Sequence, residues 1–405
     1  MGKDVVKKKP AAKTVKSLQT KASVSSATAP TTDKPFDIDT FIKHLGGLGP
    51  GEADFSWGSG FDGINAVGHV IQTLLPSAQH IFGRRLDEFR QRFAKSPLDP
   101  KAVSESTFQA AVRALKKHKP VFFLLENVVG CRKKAKGETS SPLDHYLRVL
   151  KGMDGGYDVQ AINITGRPLA EKRERVFILG SRCPDLTASD WARKSQLLEE
   201  VSKEMPIHAL SCKVTPVEAL RDEVTSWKAD AAYHNEFAAL MSKLSEKFKG
   251  DPLIVKDMKD RASSKLRAVR HLTPIQKANV DVIEMMATRS AEEARKADSS
   301  FVPYILADIS QKASFGGITL NKTWTTLTTS TRLLDFQQGE ILPATSHLEM
   351  LGWNKSWRQS SNLQYWSQSE IYDLTGNSMS LAAVTKVLLP LMKHVTAEGR
   401  RSLQA

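Results

Sequence analysis

The stretch Lys119-Pro120-Val121-Phe122-Phe123-Leu124-Leu125-Glu126-Asn127-Val128 decides the fold. Val121 to Leu125 is a continuous apolar run, as expected of a strand buried on both faces of a parallel sheet. Glu126 follows at the carboxyl end of that run, the end where open α/β sheets take their ligands. A carboxylate placed behind an apolar strand loses water and can hold a proton for acid catalysis. From these residues alone, a turn or helix cap after a strand reads equally well.

The flanking sequence repeats the same rhythm. On the amino-terminal side, Gly58-Ser59-Gly60 leads into a helix near Ile64 to Ile71, then a short strand at His80-Ile81-Phe82, then a helix from Thr107 to Lys117 with Phe108, Val112 and Leu115 on one face. On the other side come a helix from Leu143 to Leu150 and strands at Tyr157 to Ile164 and Arg175 to Leu179. Alternating strands and helices predict a doubly wound α/β domain. Residues 185–320 change character, becoming charged and mostly helical, with Tyr233 to Lys249 as one helix. Thr-rich strand-like sequence returns after Trp324, and an apolar helix runs from Leu381 to Met392. Four segments are expected: a disordered basic arm over 1–34, the first part of an α/β domain over 35–184, a helical insert over 185–320, and the closing part of the same domain over 321–405.

The chain has 405 residues, with 58 Lys and Arg against 44 Asp and Glu and a net charge of +14, which points to a polyanionic partner. Residues 1–33 hold seven lysines against Asp4 and Asp33, so most of the surplus lies in the body. The Lys7-Lys8-Lys9 cluster suits a nuclear address, a phosphate-binding tail or a solubilising terminus, and the Ser-rich, acid-poor arm also suits an organelle transit peptide. Apolar runs fall short of the ~20 residues that cross a bilayer, so no membrane span is expected. Cys131, Cys183 and Cys212 are too few and scattered for a disulfide framework or paired zinc ligands, and the ten histidines show no metal-binding spacing. No metal is assigned. Arg132-Lys133-Lys134, next to Cys131, is a setting that would lower a thiol pKa.

Three further stretches carry possible chemistry. Asp54-Phe55-Ser56-Trp57-Gly58-Ser59-Gly60 reads as a glycine turn that lets backbone approach a cofactor, or as a plain turn. Arg173-Glu174-Arg175 precedes a buried strand, and arginine forks suit phosphate and carboxylate recognition. Gly376-Asn377-Ser378-Met379, after Ser367-Gln368-Ser369-Glu370, is a turn feeding the last helix, possible also as a simple capped start.

Taken in order, Glu126-Asn127-Val128, Arg173-x-Arg175, Thr325 to Ser330, Ile341-Leu342-Pro343 to Leu351-Gly352-Trp353, and Gly376-Asn377-Ser378-Met379 resemble the cytosine-C5 methyltransferases. The resemblance covers residues 50–183 and 303–393. It implies a Rossmann-like domain that transfers a methyl group from S-adenosylmethionine to carbon 5 of a cytosine flipped out of DNA. In that frame Glu126 supports protonation of the ring nitrogen and Asn127 holds the loop. Arg173 and Arg175 orient the base and the nucleophile loop. Gly58, Ser59, Gly60, Asn377 and Ser378 line the cofactor site, Asp87 substitutes for the acid that grips the ribose, and the helical insert stands in the target-recognition position.

The chain departs from this pattern in one central respect. The family's nucleophile lies in a Pro-Cys motif upstream of Glu-Asn-Val, and all three cysteines here lie downstream of Val128. The stretch from Asp87 to Glu126 is also short, Arg85 stands where an acid is expected, and Glu171 stands where a Gln is expected. Two readings follow: an active DNA methyltransferase, or a catalytically silent relative that binds nucleic acid or a partner methyltransferase. RNA is the other substrate class open to the family.

Overall fold

A computed structural model describes residues 31–32, 34–48, 56–60, 66–84, 100–171, 173–208, 231–247, 272–310, 318–320, 323–324, 326–336, 338–354 and 365–404. The arm at 1–30 and Asp87 lie outside them. Thr31–Thr32, at the end of the expected arm, forms a short strand, β1, paired in parallel with β7 (Ile207–His208).

The deciding stretch forms β4 (Phe122–Val128), which pairs with β6 (Arg175–Ser181), and β6 pairs in turn with β5 (Asp158–Ile164). Both pairings are antiparallel, so β4 and β5 run parallel to each other with β6 inserted between them. This corrects the expectation that Val121 to Leu125 sits among parallel neighbours, since the partner of β4 among the described residues is antiparallel. The burial expectation fares better. Alternation sends Phe122, Leu124, Ile162, Ile164, Phe177 and Leu179 to one core, and Phe123, Leu125, Val159, Val176 and Ile178 to another. Every residue of β6 is buried. The strand also extends to Val128, so Glu126 lies inside the strand rather than in a turn beyond it.

Helices cover both faces. On the second face lie α3 (Pro100–His118) and α4 (Pro142–Lys151), which contribute Phe108, Val112 and Leu115, and Leu143, Tyr146 and Leu150. Helix α4 starts where its sequence says it should. Ser141 and Asp144 form a capping box and Pro142 occupies the first turn, where a missing N–H costs nothing.

The first face is covered by α5 (Ala188–Glu204) and α10 (Leu381–Gln404), with Trp191 donating its indole N–H to the Val387 carbonyl at 2.7 Å. Helix α10 is buried all round from Leu381 to Met392, as expected of a helix that is apolar on every side. Around it pack α1 (Ile38–His44), α2 (Ala66–Leu74), α8 (Ala344–Met350) and α9 (Gln368–Gly376). Within the expected insert, α5 therefore belongs to this core. A separate core joins α6 (Ala231–Lys247) and α7 (Pro274–Ala297) to a four-stranded antiparallel sheet of β11 (Glu340–Ile341), β10 (Leu333–Asp335), β8 (Leu306–Asp308) and β9 (Ile318–Thr319).

Two positions show how tightly this is built. Gly180 faces Phe123 across β4 and β6, and a Cβ on it would lie 2.0 Å from the ring. Lys386, alone among apolar neighbours in α10, is fully buried. Its Nζ reaches Glu199 Oε2 at 2.5 Å, the Thr165 and Arg167 carbonyls at 2.9 Å each, and Ser202 Oγ at 3.1 Å. Burial pulls the Lys386 ammonium down to about 8, against the opposing pull of Glu199.

Gly180→Ala should lower unfolding stability by about 1–3 kcal/mol in urea denaturation, because the Phe123 ring, buried against Tyr157, must shift to admit the methyl group. Lys386→Met alone should cost about 3–5 kcal/mol by stranding the Glu199 charge, and the double variant Lys386→Met/Glu199→Leu should recover much of that loss. Equal losses in the single and double variants would refute the pair as the cause.

Candidate functional site

At one end of the three-stranded sheet, β4 finishes and β6 begins, and the sequence motifs meet there. Glu126 and Arg175 share a face of the sheet on a diagonal of the β4–β6 pairing, and Arg175 Nε stands 2.7 Å from Glu126 Oε1. The N–H is not aimed along that line, so the contact is an ion pair rather than an aligned hydrogen bond. About a quarter of the Glu126 side chain (28%) still reaches solvent, yet the surrounding protein crowds its carboxyl. Burial pushes the Glu126 pKa up to about 7, with the Arg173 charge opposing. A carboxyl in that range exists in both protonation states near neutrality, as a general acid requires.

Arg173 performs a different task. Its Nη1 donates to the Gly376 carbonyl at 3.1 Å and to the Ser378 carbonyl at 3.0 Å, joining the arginine motif to the closing motif across some two hundred residues. Gly376 in turn lies against the backbone of Thr328 and Thr329, where a Cβ would come within 2.1 Å of the Thr329 nitrogen. Arg332 closes this corner. It donates to the Thr329 and Thr331 carbonyls and stacks 3.6 Å above the Tyr372 ring.

Glu171 is fully buried beside Arg173. Its Oε1 accepts the Leu327 N–H at 3.4 Å, and Oε2 has no partner among the described residues. Burial pushes its carboxyl up to about 8, against Arg173 and two backbone N–H groups. At neutral pH it is therefore largely protonated, with one donor and one acceptor. That is close to the hydrogen-bonding capacity of the Gln the resemblance leads one to expect.

The other expected residues are placed less directly. Asn127 points to the face opposite Glu126 by strand alternation, and its Oδ1 accepts the Val128 N–H at 2.8 Å. Asn377 is the exposed C-cap of α9, with Nδ2 donating to the Asp373 carbonyl at 2.8 Å. It ends one helix instead of starting the next, which corrects the capped-start reading. The capped start is at Ser367, with Glu370 completing the box. Ser378 is buried and meets Arg173 through its carbonyl. Gly58, Ser59 and Gly60 lie in a strand, β2 (Ser56–Gly60), paired in parallel with β3 (Gln79–Arg84), not in a turn.

The cysteines sit elsewhere. Cys131 is buried in the core behind the sheet, on the face opposite Glu126. Burial raises its thiol pKa, outweighing Arg132, so the expected lowering by basic neighbours does not occur. Cys183 follows the far end of β6, with Sγ 3.5 Å from His394 Nε2, a strand length of roughly 20 Å from the Arg175 end. Cys212 lies outside the described residues.

Sequence reasoning missed two buried groups. Lys386 had a readable signal, a lone cation inside an apolar helix, which demands a partner. His347 had none. It is fully buried with neither ring nitrogen hydrogen-bonded among the described residues, and desolvation holds its pKa down at about 3.

A sequence profile described as C-5 cytosine-specific DNA methylase matches residues 99–334, more than half of the chain and inclusive of Glu126, Arg173 and Arg175. The chain belongs to that family. Membership brings a Rossmann-like methyltransferase fold and a resemblance to the enzymes of DNA cytosine methylation. The profile ends before Gly376, and it is the pair of Arg173 hydrogen bonds that ties the closing motif to the matched region. Among solved structures, a candidate DNA modification methyltransferase encoded within a prophage of E. coli is similar at 12% identity and a TM-score of 0.43, over 85% of this chain and 100% of that one. No curated protein matches the chain. Among the described residues no helix is long and apolar enough to cross a membrane.

Glu171→Gln tests the buried acid. With a folded pKa near 8 and an ordinary unfolded value, wild type holds its full contribution below the unfolded pKa and loses it as pH rises through 8. The variant should therefore gain stability relative to wild type between pH 5 and 9 in parallel thermal melts. A constant difference across that range would show that Glu171 does not titrate there.

Proposed function

We propose that this chain binds DNA and S-adenosylmethionine and holds a cytosine against Glu126 and Arg175, the recognition half of cytosine-C5 methyl transfer. The observation that carries the reading is the convergence of Glu126, Arg175 and Arg173 with the Gly376 and Ser378 carbonyls at one end of the sheet. Protonated Glu126 can donate to the ring nitrogen of a base and polarise carbon 5, and the Arg175 guanidinium offers donors to the ring's acceptor atoms. Arg173 keeps the closing segment in place beneath them.

For the cofactor, Gly58 and Gly60 stand at the carboxyl end of β2, where absent side chains leave room for close backbone approach. Asn377 Oδ1 and the Ser378 segment are further candidates for its polar groups, with Asp87 for the ribose. S-adenosylmethionine, when bound, supplies the methyl group. The helices on both faces of the β4–β6–β5 sheet support a doubly wound arrangement, with α6 and α7 as the helical part of a target-recognition insert. Lys7-Lys8-Lys9 supports a nuclear address.

The placement of the thiols favours a second reading. The covalent step of the reaction needs a thiolate beside Glu126. Cys131 is behind the sheet and Cys183 is at its far end, which favours a relative that reads cytosine without methylating it, alone or with a partner methyltransferase.

Incubation with duplex DNA and tritiated S-adenosylmethionine separates the two. If the chain methylates, label should appear in DNA and fall by roughly 10²-fold or more in Glu126→Gln, with DNA binding kept. Loss of label in Cys212→Ala would name the nucleophile. Retained DNA binding with no label would establish the silent reading, and loss of both would remove the proposal.

A further inference from the structure

The 3-10 helix Val129–Arg132 carries the chain from the end of β4 directly into Arg132-Lys133-Lys134-Ala135-Lys136, a segment exposed throughout. The segment is shaped rather than loose at its base. Arg132 Nε donates to Asn163 Oδ1 at 2.8 Å, and Asn163 Nδ2 donates to Glu174 Oε1 at 2.7 Å, with Glu174 standing between the two site arginines. Asn127, Val176 and Asn163 lie in one row across the three strands, so this clamp grips the same end of the sheet that holds Glu126, one strand thickness away on the other face. Two turn bonds, Lys133 N–H to the Gly130 carbonyl and Glu138 N–H to the Ala135 carbonyl, give the loop its course.

The charges on this loop have little to do within the protein. Among the described residues, no ion pair within 4 Å engages Lys133, Lys134 or Lys136. Glu174 at the loop's base accepts from Asn163, Asp144 is held by Ser141 in its capping box and feels the Lys134 charge, and Glu138 ends the loop. Lys133, Lys134 and Lys136 place three ammonium groups within four consecutive exposed residues, and a line of phosphates would relieve their mutual repulsion. Val128 is half exposed at the rim between the loop and Glu126.

We propose that Lys133, Lys134 and Lys136 form a phosphate-backbone contact for a DNA strand whose base enters the site at Glu126. This rests on the DNA-binding reading above and adds to it a named docking surface. Each lysine that neutralises a phosphate releases condensed counterions, so each contributes about 0.9 to the slope of log affinity against log salt.

The test is fluorescence anisotropy of the full chain with a labelled 30-base-pair duplex, from 50 to 300 mM KCl, for wild type, for Lys133→Gln/Lys134→Gln/Lys136→Gln, and for Arg193→Gln/Lys194→Gln/Lys203→Gln on the exposed face of α5 as a charge-matched control. The triple variant should lose about 2 to 3 from the magnitude of the salt slope, with the control close to wild type. A triple variant that binds with the wild-type slope, or whose slope change the control reproduces, overturns the loop contact and leaves the DNA reading standing. A wild type that does not bind duplex at any salt overturns both.

Discussion

Burying the Arg173 guanidinium strips water from a permanent charge, a cost of several kcal/mol unless its N–H groups find acceptors. Here the acceptors are two main-chain carbonyls, those of Gly376 and Ser378, which no local segment could supply. The requirement pulls the closing segment onto the start of β6, and Gly376 must then lie flat on Thr328 and Thr329. Three stretches distant in sequence are fixed by one side chain. Lys386 repeats the device one layer away, taking the carbonyls of Thr165 and Arg167 on either side of Gly166, whose N–H donates to the Arg173 carbonyl at 3.1 Å. The backbone of Arg173 is thus steadied by α10 while its side chain steadies the segment leading into that helix.

The same desolvation sets the chemistry of the acids. Glu126 and Glu171 both face Arg173, yet burial outweighs the attraction in each case and raises both carboxyls. Glu171 has no reach to solvent and serves as a neutral hydrogen-bonding group in the frame. Glu126 keeps partial access, and its proton can be exchanged. Two residues of one type are thereby divided between structure and chemistry by position on or behind the sheet edge.

Thiol placement follows from the same layering. Cys131 comes five residues after Glu126, but the turn into the 3-10 helix carries it into the core behind β4, where burial raises its pKa despite neighbouring Arg132. Sequence proximity to an acid and a cation says little about reactivity when the sheet stands between the groups.

Much of the α/β character was legible because it depends on local pattern. The apolar runs at Val121 and Arg175 to Leu179, the face of Phe108, Val112 and Leu115, and the all-round apolarity of Leu381 to Met392 each name an element without knowledge of its neighbours. The order of Glu126, Arg173, Arg175 and Gly376 also fixed which residues to watch. Strand direction was not legible, because an apolar strand between two helical layers looks the same whether its neighbour runs with it or against it. Nor was the division between Asn127, turned away by strand alternation, and Glu126, turned inward, until the strand was known to continue to Val128. The convergence of Arg173 with Gly376 and Ser378, and of Lys386 with Glu199 and Thr165, was decided only by tertiary structure, since a buried cation reveals its acceptors only when distant chain is packed against it.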